Sequence, residues 1–363
     1  DSVASRGLGD VYKRQAEMVA AGYTSVGEFH YVHHQPDGTP YRDHAMELAL
    51  VNAAIEAGIR ITVLDTCYLH AGPGAPLGVD QKRFGDGSVE GWLERWRALR
   101  DALPDSPLVT MGAALHSVRA VSPDEMATAV SGLPERVPIH IHVSEQPREN
   151  TECLAAHGLT PTAVLDRAGA LSDRTTIIHA THLTGGDIAM IAASDTVVSL
   201  CPTTEADLGD GIARVKDLQD AGVRMAIGTD EDVITDPFTE LRMLESTARL
   251  VTGTRGIIGC EALWKIGTRN GVESLRPAAE PLPRQTSTPG PGSAGLAAGD
   301  PADIAVVEPS SARLAGVDPT RWPLVATAND VAATIVAGEW NRLDAAVAED
   351  LRHVLDELRG RDS

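Results

Sequence analysis

Three short patches carry residue types that could share one hydrolytic chemistry: His142-Val-Ser-Glu145, His179-Ala-Thr-His182 and Gly228-Thr-Asp230. Imidazole and carboxylate groups hold zinc and move protons to and from water. His142 is the strongest ligand candidate. Asp230 can ligate the same ion and take a proton from an attacking water. Glu145, three residues after His142, can reach that water and pass its proton to a leaving nitrogen. His140 lies on the same strand face as His142 and reads as a core or supporting group. His182 reads as mainly structural. Cys201, just before Pro202, has no base near it in sequence and reads as a plain strand-end residue.

Each patch follows an apolar, β-branched run, so each sits at the C-terminal end of a strand. Strand runs are expected near 24–29, 60–67, 108–115, 137–143, 175–180, 196–201 and 223–228. Ala-rich helical stretches fill the gaps, among them Tyr41–Ala57, Ser88–Ala102, Pro123–Ser131 and Thr160–Ala168. Such alternation implies a parallel sheet. In a (β/α) barrel the strand ends converge on one mouth, where catalysis is built. Seven runs are one short of the eight a closed barrel needs. The chain passes from a helix end at Ala16-Glu-Met-Val-Ala-Ala directly into Thr24-Ser-Val, so a strand and most of a helix are expected to be missing ahead of it.

The expected organisation follows. Residues 1–15 are a leader, either adapter-derived foreign sequence or a disordered tail. Residues 16–285 form the barrel. Residues 286–363 hold the rest of a Pro-, Gly- and Ser-rich linker, a small β segment with runs at Ala302–Val307 and Ala333–Gly338, and a charged helix Ala345–Arg359.

Composition narrows the partners. The 363 residues carry a formal net charge of −20, a field that repels nucleic acid and anionic membrane. Apolar residues are 43% and aromatics 4%, so the core is expected to be Ala, Val, Leu and Ile. Four cysteines without CxxC spacing fit reduced thiols and a cytoplasmic setting. No stretch of 18 apolar residues reads as a membrane span, and no charged-then-apolar leader reads as a secretory signal. A small-molecule substrate is expected, with a homodimer as the oligomeric form.

Five strings carry a family resemblance: Gly27-Glu-Phe-His-Tyr-Val-His-His34, Leu115-His-Ser-Val-Arg-Ala-Val121, His140-Ile-His-Val-Ser-Glu-Gln146, His179-Ala-Thr-His182 and Cys201-Pro-Thr-Thr-Glu-Ala-Asp-Leu-Gly-Asp-Gly211. From about residue 16 to about 350 the chain resembles the amidohydrolase superfamily, and within it the N-formimino-L-glutamate deiminases. The resemblance implies a TIM-type (β/α)8 barrel, here lacking its first strand, with the C-terminal β segment belonging to a composite β-sandwich. It implies one zinc ion and hydrolysis of a formimino C=N bond to N-formyl-L-glutamate and ammonia. It also implies that His179 polarises the substrate or touches the metal, and that His116 and Arg119 hold the glutamate moiety. The Arg fork suits a carboxylate on chemical grounds as well. Tyr68 could add a hydroxyl to the same pocket.

Two departures bear on activity. The family's first strand carries a His-x-His pair of ligands, whereas the His-x-His here, His140/His142, belongs to a later strand. The Asp patch reads Thr229-Asp-Glu-Asp where the family more often has Ser-Asp-Ser. Two strong ligands, His142 and Asp230, and a marginal His179 are therefore expected to bind zinc weakly. The chain as written is expected to be inactive unless such a strand is restored. Glu28, His30, His33 and His34 are expected to support the pocket rather than bind metal. The aromatic content argues against a deaminase of aromatic bases.

Overall fold

The computed structural model describes residues 2–275 and 301–341, with side chains from Tyr12 onward. Seven parallel strands form one curled sheet in sequence order: β1 Ser25–His30, β2 Arg60–Cys67, β3 Val109–Ser117, β4 Ile139–Val143, β5 Thr175–His179, β6 Val197–Leu200 and β7 Met225–Ile227. All seven expected runs are present. Among the described residues β1 and β7 are the sheet's edges. A short helical segment, Gly271–Leu275, lies between them. Its Leu275 carbonyl accepts a hydrogen bond from Thr62 Oγ1 (3.2 Å) and its Ser274 carbonyl one from His140 Nε2 (2.9 Å). Gly27 of β1 is required here, because a Cβ would fall 2.6 Å from Leu275 Cδ2.

The expectation for residues 1–15 needs correction. Ser2–Ala21 is one helix, α1, and not a disordered tail. Gln15, Ala16, Met18 and Val19 are buried on one face at helical spacing. Gln15 Nε2 donates to the Leu50 carbonyl (3.3 Å) of α2, Ala45–Ala57. Gly22 then takes a φ of 100°, which lets the chain turn from α1 into β1.

The core is Ala, Val, Leu and Ile as expected, with one addition. Trp92 and Trp96 of α3, Val89–Ala102, are its largest fully buried side chains, and Trp96 Nε1 donates to the Gly112 carbonyl (2.8 Å). Past the linker, β8 Ile304–Val307, β9 Val331–Val336 and β10 Glu339–Asn341 form an antiparallel sheet. It docks on the α1–α2 side: Asn341 Nδ2 donates to the Gly58 carbonyl (2.8 Å), and Arg60 pairs with Asp303 (2.7 Å). The 285/286 boundary, most of the linker and the terminal helix Ala345–Arg359 lie outside the described residues.

Candidate active site

Strand alternation turns His140 and His142 to the inner face of β4, and depth separates their roles. His140 is spent on the Ser274 carbonyl. His142 reaches the rim, where its Nδ1 donates to the His116 carbonyl at the end of β3 (3.0 Å). That bond fixes the tautomer and leaves Nε2 as a lone-pair donor. Burial, reinforced by His116 and His179, holds the His142 pKa well below its usual value, so the ring is neutral as a ligand must be.

Past β4 the chain kinks at Ser144, whose φ is 52°, and Glu145 emerges. The Glu149 carboxylate accepts the Ser144 N–H (3.1 Å) and holds that kink. His179 and Ala180 at the end of β5, and Asp230 after β7, also have positive φ. Non-glycine residues in this region are strained by about 1–3 kcal/mol each and cluster where a site over-determines the backbone.

These turns bring the groups together. His179 Nε2 lies 3.9 Å from Glu145 Oε1 and 3.8 Å from Asp230 Oδ2. Its ring stacks on His142, with centroids 5.5 Å apart and planes 22° apart. On its far side, Nδ1 lies 3.5 Å from Glu205 Oε1, an ion-pair distance without hydrogen-bond geometry. Burial alone would lower the His179 pKa, but Glu205, Glu145 and Asp230 outweigh it and raise it. Glu145 and Asp230 are also raised, in both cases first by burial and then by neighbouring carboxylates.

Donor atoms of His179, Cys201 and Asp230 all lie within 4.8 Å of one another. With His142 stacked against them, the set offers the nitrogen, oxygen and sulfur atoms that zinc takes in tetrahedral sites. Cys201, expected to be a plain strand-end residue, thus stands close enough to His179 and Asp230 to offer a further donor atom. Its approach depends on Gly228, where a Cβ would lie 3.0 Å from its Sγ.

The expected substrate residues line the adjoining wall. Burial and the Arg119 charge lower the His116 pKa to about 3, so its ring is neutral. Arg119 makes no ion pair among the described residues, and its Nε is buried without a hydrogen-bond partner. Tyr68 packs its ring on His116 (4.3 Å), and its hydroxyl accepts from Gln81 Nε2 (3.0 Å).

Phe29, Tyr31 and Phe84 complete an aromatic wall that the composition argument missed. Phe29 lies 4.1 Å from the His142 ring, and Tyr31 contacts Tyr68, Phe84 and His116. Burial, then Tyr68, Asp230 and Glu145, raises the Tyr31 pKa. The two-residue period Phe29-x-Tyr31 at a strand end was the available signal.

The neighbouring histidines form a separate buried network. His33 donates from Nδ1 to Glu47 Oε1 (2.9 Å) and from Nε2 to the Thr66 carbonyl (2.9 Å). His30 Nε2 donates to the Val32 carbonyl (3.1 Å), and His34 Nε2 to Asp86 (3.0 Å). Arg95 bridges Asp65 (2.8 Å) and Asp86 (2.8 Å). His30, His33 and Glu47 are close enough for a metal. Both ring nitrogens of His33 and Nε2 of His30 are nevertheless committed to protein acceptors, and Arg95 supplies the counter-charge. The network braces the segment that carries Tyr31. His182 Nε2 donates to the Asp210 carbonyl (2.7 Å).

Comparison with known proteins agrees with this geometry. The model of the Amidohydrolase family matches residues 10–276, a match that reaches into the stretch expected to be foreign. The chain is 36% identical over 351 residues to the formimidoylglutamate deiminase of Pseudomonas aeruginosa, covering 95% of this chain and 74% of that protein. It is 29% identical over 260 residues to a 5-methylthioadenosine/S-adenosylhomocysteine deaminase of Halobacterium salinarum, covering 68% of this chain and 57% of that one. An amidohydrolase crystal structure from Brucella melitensis superposes with a TM-score of 0.86 at 29% identity, over 98% of this chain and 79% of that one. An adenosine deaminase from Xanthomonas campestris with bound zinc shares the fold at a TM-score of 0.75 and 21% identity, over 98% and 76% of the two chains. The chain belongs to the amidohydrolase family.

Proposed function

We propose that this site hydrolyses N-formimino-L-glutamate to N-formyl-L-glutamate and ammonia. The observation that carries the reading is Arg119, a guanidinium with an unpartnered buried nitrogen on the wall beside the His142, Glu145 and Asp230 group. A buried donor without a partner is costly, and a substrate carboxylate satisfies it with a bidentate pair.

His142 and Asp230 would hold a divalent metal, with His179 and Cys201 within reach. Such an ion lowers the pKa of water so that a nucleophile exists near neutral pH. Asp230, its pKa raised, takes a proton from the attacking water. The water oxygen adds to the formimino carbon. Glu145, also raised, carries a proton to the departing nitrogen, the C–N bond breaks and ammonia leaves. His179, whose Nε2 faces Glu145 and Asp230, would polarise the substrate at the reacting carbon or bind the metal itself.

The aromatic wall favours a second reading, deamination of a planar purine base, the chemistry named for the Halobacterium relative. Arg119 separates the two. Arg119→Met is expected to raise KM for N-formimino-L-glutamate far more than it lowers kcat, because a remote clamp contributes binding shared by ground and transition states. Formamidine, which has no carboxylate, is expected to be indifferent. Equal losses on both compounds would make Arg119 structural.

A further inference from the structure

The string Cys201-Pro-Thr-Thr-Glu205 has so far yielded only a thiol. We propose that Glu205 is a positioning residue, whose carboxylate fixes the tautomer and ring orientation of His179. Its effect on turnover rests on the deiminase reading, whereas the placement itself does not.

His179 has two unequal sides. Its Nε2 side faces the reaction groups Glu145 and Asp230 at 3.9 and 3.8 Å. Its Nδ1 side faces Glu205 Oε1 at 3.5 Å, and among the described residues Nδ1 has no hydrogen-bond partner. The ring is buried, with 1% of the residue exposed, so no bulk water chooses the tautomer for it. A proton on Nδ1 pointing at Glu205 leaves Nε2 free for the chemistry. A proton on Nε2 would instead point at Asp230 and Glu145 and block that side. A ring nitrogen's role is commonly set by the partner of the other nitrogen.

Glu205 is itself held rigidly. It is 4% exposed and lies in the helix Pro202–Asp207 that follows β6. Its Oε1 accepts the Cys201 N–H (2.9 Å), its own N–H donates to the Cys201 carbonyl (2.9 Å), and its carbonyl accepts the Asp210 N–H (2.9 Å). Cys201 and Glu205 therefore brace each other, and both converge on His179. This accounts for the spacing of the string: four residues close one turn from the strand end to the carboxylate.

Long-range proton–nitrogen NMR on 15N-histidine-labelled full chain reads the tautomer directly, with the His179 signals identified by their loss in His179→Gln. At a pH where the ring is neutral, the parent is expected to carry its proton on Nδ1. Glu205→Gln, which keeps an acceptor oxygen, is expected to preserve that state. Glu205→Leu is expected to move the proton to Nε2 and to lower kcat for N-formimino-L-glutamate roughly 10–100-fold, with KM nearly unchanged. An Nε2 proton in the parent overturns the proposal, and this needs no variant to fold. An unchanged tautomer in a folded Glu205→Leu chain overturns it too. If the tautomer shifts as stated while no formimino substrate is turned over, the deiminase reading fails and the role of Glu205 stands.

Discussion

His142 and Glu145 are three residues apart, and the kink at Ser144 brings both to one site, where the proposal makes His142 a metal ligand and Glu145 a proton carrier. Removing the carrier while keeping its shape isolates its role. Glu145→Gln is expected to lower kcat for ammonia release by roughly two to four orders of magnitude, the size of a general acid–base contribution. A variant within threefold of the parent would remove Glu145 from the mechanism. His142, Glu145, Asp230, His116 and Arg119 were legible because strand ends of a parallel sheet must meet at one mouth. Cys201, Glu205 and Tyr31 were harder to read. Their approach depends on a glycine opposite the thiol, a helical turn and a loop path, none of which strand periodicity specifies. The His30, His33 and His34 patch forms hydrogen bonds that no strand pattern announces. Its pairing with Glu47 and Asp86 involves partners 14 and 52 residues away, beyond any local pattern.

At the scale of elements, seven strands and the helices between them follow from alternating periodicities. Boundaries moved by only a few residues because each strand is bounded by polar or glycine-rich turns. The packing between β1 and Gly271–Leu275 was not legible, since it joins residues nearly 250 positions apart through the absence of a side chain. It makes a sharp prediction. Gly27→Ala places a methyl against Leu275 Cδ2 and should destabilise the chain by about 1–3 kcal/mol, the usual cost of overpacking. Adding Leu275→Ala should recover part of that loss, because the clash is with a side chain and not with backbone. Thermal denaturation of the single and double variants measures it. Additive losses in the double variant would show that Leu275 does not press on Gly27.

At the scale of the whole molecule, a chain with net charge −20 must still bury carboxylates, and it does so beside Arg95 and the histidines. Burial alone would raise the Glu47 pKa. The His33 hydrogen bond and nearby positive charge outweigh it, and lower it from 4.5 to about 2. A depressed carboxylate stabilises the fold above its unfolded pKa and loses that contribution as pH falls through its folded pKa. Glu47→Gln should therefore be less stable than the parent at pH 7, by roughly 3 kcal/mol or more as expected for a broken buried pair. The gap should close as pH falls from about 4.5 toward 2. A gap independent of pH would mean that packing, and not charge, is what Glu47 supplies. The same network holds the Tyr31 segment against the pocket, so the fold's charge balance and the site's aromatic wall are one arrangement.

The central claim is that Arg119 and the His142, Glu145 and Asp230 group select a formimino dicarboxylate over a purine. Ammonia release by the zinc-supplemented chain, measured side by side on N-formimino-L-glutamate and adenosine, tests it most directly. With Cys201 as a further donor beside His142, His179 and Asp230, the proposal replaces the inactivity expected from the sequence by release from N-formimino-L-glutamate alone, abolished by a chelator and by Glu145→Gln. Release from adenosine, or none from N-formimino-L-glutamate when zinc is bound, would contradict it.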